Sequence, residues 1–142
     1  REIYQLRELL ERAAFRLIFT SGRNEEYSFR IEEKVVRMCA AASDIYAWEV
    51  ADTAMHMEIV SVLENSRVDR IYENNLSELI RMGQFSVRNG MDIDRTNENL
   101  KKMVELMRAG DYENAYAILR DDHFTTGMDC ALMKQDTAEP GE

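Results

Sequence analysis

The chain holds a single proline in 142 residues, Pro140, close to the C-terminus. A proline inside a helix removes a backbone hydrogen bond and costs ~3 kcal/mol. Everything before residue 140 is therefore free to run as long, unbroken helices. Six glycines leave little material for the tight turns of an all-β fold. The apolar residues recur with the 3.6-residue period of amphipathic helices, and no period-2 pattern persists. The length suits one domain, which at this size buries roughly 70% of the surface its unfolded chain exposes.

Six helices follow from periodicity and end signals. The first places Ile3, Leu6, Leu10, Ala13 and Leu17 on one stripe and stops at Ser21-Gly22. The second is capped by Asn24, carries Ile31, Val35, Met38 and Cys39 inward, and ends near Ala42. The third runs from a Ser43 or Asp44 cap to about Glu64, with Trp48, Asp52, Met55, Ile59 and Val62 inward. A fourth spans Val68 to the Asn89-Gly90 stop, a fifth starts at Thr96, and a sixth starts at Asp111 after Gly110. Short connections between them imply an all-α antiparallel bundle. Residues 1–136 are expected to form this helical domain and 137–142 a polar, frayed tail.

Charge narrows the function. The net charge is −9, which argues against direct contact with DNA phosphates or anionic membranes. No apolar run reaches the eighteen residues of a membrane span, and no signal peptide is visible. Cys39 and Cys130 lack metal-like spacing and read as reduced thiols of a cytoplasmic protein. No glycine-rich phosphate loop, GxSxG elbow or HExxH is present, so the chain is expected not to be an enzyme.

Four positions stand out. Asp52 and His56 are one turn apart on one helix face. Asp52 falls on an apolar stripe, where an unpaired charge is expensive. The pair is either an ion pair near the surface or half of a binding site. Asp122, with His123 beside it, lies on the inward side of the last helix, as a ligand or as part of a solvated helix end. Arg7 either clamps an anion through its planar fork or makes a surface pair with Glu11, worth a few tenths of a kcal/mol.

Three stretches resemble a known family when taken together. They are Glu2-Ile3-Tyr4-Gln5-Leu6-Arg7-Glu8-Leu9-Leu10-Glu11, Asp52-Thr53-Ala54-Met55-His56 and Arg108-Ala109-Gly110-Asp111-Tyr112-Glu113-Asn114-Ala115. Their order and separation are similar to the C-terminal effector-binding (FCD) domain of GntR-type transcription regulators of the FadR subgroup. The resemblance covers nearly the whole chain. It implies a helical bundle that binds small carboxylates such as organic and sugar acids, often beside a divalent metal held by one aspartate and three histidines. Asp52 and His56 match the first two ligands. The third position falls on Leu100 and the fourth on Asp122, with His123 one residue late. The chain has two histidines in all, so the four-ligand set is incomplete. The Glu64-Asn65-Ser66-Arg67 stretch also departs from the family's Ser-Gly-Asn turn.

The resemblance therefore implies a sensor domain of a bacterial transcription regulator. Its effector would sit in the bundle core against Arg7. One divalent ion (Mn, Ni or Zn) would rest on Asp52, His56 and Asp122, with His123 as substitute. The working unit would be a homodimer, and DNA would be bound only through a winged-helix domain preceding Arg1. Two other classes remain open: a stand-alone helical interaction domain without ligand, and a metal-dependent enzyme in which the same three residues activate a water.

Overall fold

The computed structural model describes residues 2–126, with side chains through Asp122. Cys130, Pro140, the 137–142 tail and the His123 side chain lie outside the described residues. Among those residues there are seven α-helices and no strand. They are α1 (Glu2–Thr20), α2 (Asn24–Ala40), α3 (Ile45–Val60), α4 (Ser66–Asn74), α5 (Leu76–Arg88), α6 (Ile93–Arg108) and α7 (Tyr112–Ile118). A 3-10 turn, Ser61–Leu63, extends α3, and a π-helical stretch, Leu119–Thr126, extends α7. The fold class is the expected one: an all-α bundle.

The helix ends follow local chemistry. Asp44, Asn65, Asp92 and Asp111 each accept a backbone N–H from the first turn of the helix they precede, the standard remedy for unpaired N-terminal donors. Gly22 and Gly110 take positive φ at the ends of α1 and α6, a conformation that glycine adopts without a Cβ penalty.

Three boundaries differ from expectation. The fourth helix is two helices, because Asn75 leaves helical geometry and its side-chain amide donates to the Ile71 carbonyl at 2.7 Å. Asparagine competes with the helix for backbone partners in this way. The next helix starts at Ile93 rather than Thr96, since Asp92 supplies the cap at 3.1 Å from the Arg95 N–H. Asn24 does not cap α2. It is the helix's first residue, and its amide donates to the Met107 carbonyl at 2.9 Å, tying α2 to the end of α6.

The central element is α3, which contacts α1, α2, α4 and α5. Its residues Trp48, Glu49, Ala51, Asp52, Thr53, Met55, His56, Ile59 and Val60 are all buried. A helix buried on most of its circumference belongs in the middle of a bundle. On one flank α2 packs between α3 and α6. The Trp48 indole N–H donates to Asn97 Oδ1 at 2.9 Å, which satisfies both groups inside the core. On the other flank Phe15, Phe19, Tyr112 and Tyr116 lock α7 onto α1, and the two tyrosine rings stack with centroids 5.7 Å apart. The two tyrosines are packing residues, as expected.

The inward face of α1 is the largest correction. The expected stripe of Ile3, Leu6, Leu10, Ala13 and Leu17 is not the buried one. The buried residues are Tyr4, Arg7, Glu11, Ala14, Phe15 and Ile18, and Leu17 is 39% exposed. Both sets have helical spacing. The structure selects the one containing two charges because α3 and α4 offer those charges partners.

Candidate effector site at the buried polar centre

Glu49, Asp52 and His56 stand at i, i+3 and i+7 on α3, so they share one face. That face looks at α1, where Arg7 and Glu11 are also one turn apart. All five residues are buried, and Glu11 and His56 are fully so. Burying five ionisable side chains is tolerable only if they satisfy one another, and a continuous chain of contacts does this.

Glu11 is its hub. One carboxylate oxygen pairs with His56 Nδ1. The other accepts the Tyr72 hydroxyl at 2.9 Å and lies 3.3 Å from Arg7 Nε. The opposite nitrogen of the imidazole, Nε2, is 3.3 Å from Asp52 Oδ1. Asp52 in turn shares a hydrogen bond with Glu49. The Arg7 guanidinium rests 4.7 Å from the centroid of the Tyr4 ring, a stabilising cation–π arrangement.

The environment shifts these groups. Burial pulls the His56 pKa down, but the Glu11 and Asp52 carboxylates outweigh burial and the opposing Arg7 charge, so the net direction is up. Both ring partners are acceptors, which suits an imidazolium donating from both nitrogens. Burial first, and the Asp52 charge second, hold the Glu49 carboxyl well above the usual carboxylate range. Burial and Glu11 raise Tyr72.

Gly83 on α5 explains how Glu49 fits. A Cβ there would collide with the Glu49 carboxyl group. The mid-helix glycine, ordinarily a cost of ~1 kcal/mol relative to alanine, opens a notch for the acid. Beside Arg7 runs a narrow gap of about 160 Å³ of empty space, lined by Ile3, Arg7, Leu10, Ile71, Tyr72 and Leu79.

Of the candidate residues, the structure brings Arg7, Asp52 and His56 together. The Arg7–Glu11 pair exists but is buried rather than superficial. Asp122 accepts from the Asn99 side chain and feels Arg95 and Asp121. Leu100 is fully buried in the apolar core. Among the described residues, no three His, Cys, Asp or Glu side chains converge as a metal-holding group. Glu11 and Asp52 sit on opposite edges of the imidazole, so their oxygens diverge.

Sequence reasoning missed Glu11, Glu49 and Tyr72 as members of the centre. The spacing of Glu11 from Arg7, and of Glu49 from Asp52, was available as a signal. The contribution of Tyr72 from α4 was not, because it depends on how α4 packs.

Among the described residues, no helix is long and apolar enough to cross a membrane. A family model, the FCD domain, matches residues 2–124. No curated protein and no solved structure gives a significant match. The all-α bundle agrees with a family match over most of the chain: it belongs to the FCD domain family, the ligand-sensing regulatory domain of GntR-type regulators.

Proposed function

We propose that this domain senses a small organic or sugar acid at the Arg7–Glu11–His56–Asp52 centre. It passes the binding event to a winged-helix DNA-binding domain of the same regulator. The regulator works as a cytoplasmic homodimer, and DNA contact belongs to the winged helix. The −9 charge agrees with that division of labour.

One observation carries the reading: a buried guanidinium is held by an internal carboxylate beside a gap too tight for a ligand. An acidic effector can compete with Glu11 for Arg7 through the same charge-assisted geometry. It gains room only by parting α1 from α4 and α5. Binding and rearrangement are then one event, and the effector acts through its differential affinity for the two arrangements.

The test is a thermal-shift and calorimetric screen of organic and sugar acids against the chain. An effector at about a hundred times its Kd adds ~2.7 kcal/mol, several degrees for this size. Arg7→Ala should abolish that response. If Arg7→Ala folds and binds the same acid with unchanged affinity, Arg7 is not the clamp. A domain without ligand predicts no response from either protein.

A further inference from the structure

We infer that this domain holds its centre together without a divalent metal, the His56 ring making the bridge between Asp52 and Glu11 that an ion would otherwise make. The inference rests on the effector-site reading above and sharpens it: the effector meets protein side chains directly rather than chelating an ion.

The donor set is the main argument. Metal sites of the relevant chemistry use three or four protein ligands converging at about 2.0–2.2 Å. Here the third position is Leu100, an apolar side chain with no exposed surface. The fourth, Asp122, is turned to Asn99 and is acted on by Arg95 and Asp121. His56 pairs with Glu11 through Nδ1 and with Asp52 through Nε2. Among the described residues Asp52 pairs with His56 Nε2 and with Glu49, and no three such side chains converge as a metal-holding group.

The Arg7 guanidinium lies 3.3 Å from Glu11, the carboxylate that also holds His56 Nδ1, so one positive charge already stands at this centre. The guanidinium and a divalent ion would repel each other in a site with little water to screen them. Metal-ligating histidines usually donate their other ring nitrogen to a carboxylate, and Glu11 supplies that feature. The carboxylate anchors the ring, while among the described residues no third donor joins Asp52 and His56.

Two consequences separate this centre from a metal-loaded one. The α1–α3 connection is insensitive to chelators. Effectors that would bind through bidentate chelation gain nothing from that mode.

The test is metal content and metal response of the chain. Purified without chelator, it should carry well under one equivalent of Mn, Fe, Co, Ni or Zn by plasma mass spectrometry. Its melting point should be the same with EDTA as with MnCl2, NiCl2 or ZnCl2. A metal-induced shift retained in Asp52→Asn comes from the acidic surface and agrees with the inference. Near-stoichiometric metal in the parent protein overturns it, whether Asp122 or His123 completes the shell. Metal content is read on the parent chain, so the result does not depend on any variant folding. A metal-loaded protein that still gives an Arg7-dependent response to an organic acid sinks this inference and spares the effector reading. A metal-free protein with no such response does the reverse.

Discussion

Glu49 shows how much a single residue can demand of its neighbours. Its carboxyl group sits on α3, fully inside the bundle, against another acid and against the backbone of Gly83. Gly83→Ala should raise helix propensity by ~1 kcal/mol and still destabilise the domain, by roughly 1–3 kcal/mol of overpacking. Denaturant unfolding of Gly83→Ala alone and in a Glu49→Ala background would measure this. The penalty should largely vanish in the double variant, because the group that the new methyl strikes is gone. The hub residue behaves differently. Glu11→Ala leaves Arg7 and His56 buried without their shared carboxylate, a loss expected to cost about 3–5 kcal/mol. An exposed i,i+4 pair would lose only a few tenths. An unfolding free energy changed by less than ~1 kcal/mol would return Arg7–Glu11 to the status of a surface pair.

At the scale of elements, the helix ends place the polar centre. Asn75 separates α4 from α5. Tyr72 on α4 then reaches Glu11, while Gly83 on α5 meets Glu49 and Ser86 meets Tyr4. One continuous helix would hold these residues to a single helical phase. Asn65 fixes where α4 begins by accepting the Arg67 and Val68 N–H groups at 3.0 and 3.4 Å. Asn65→Ala should cost about 0.5–2 kcal/mol. Because α4 carries Tyr72, the same variant should also weaken any effector response that depends on Arg7. Thermal unfolding together with the acid screen checks both outcomes. Stability loss with an intact response would separate the cap from the site.

For the whole molecule, Glu49 and His56 set the sense of the pH dependence. Glu49 is raised from an unfolded value near ~4.3, so folding favours its protonated form and stability falls as pH rises through its folded pKa. His56 is raised from ~6.5. Its contribution is complete below that value and is lost as pH climbs through the folded pKa. Both windows slope the same way. The melting point should be higher near about pH 6 than near about pH 8.5 through His56, and Glu49→Gln should flatten the fall that begins above its unfolded value of about 4.3. A melting point that rises over this range would contradict the arrangement of charges described above.

Much of this architecture is legible in the residues alone. The lack of proline before residue 140 and the 3.6-residue period determined an all-α bundle, and the caps Asp44 and Asp111 determined two helix starts. Asp52 and His56 were recognisable as a pair because i,i+4 spacing is a property of one helix. What one helix cannot report is which of its faces a neighbour will accept. On α1, an apolar stripe and a stripe carrying Arg7 and Glu11 have the same period. Only α3 and α4, bringing His56, Asp52 and Tyr72 to that face, made the charged stripe the buried one. The same holds for Glu49, whose place depends on a glycine on another helix. Local sequence sets period and phase, but the burial of a charge is decided by the partners that tertiary packing supplies.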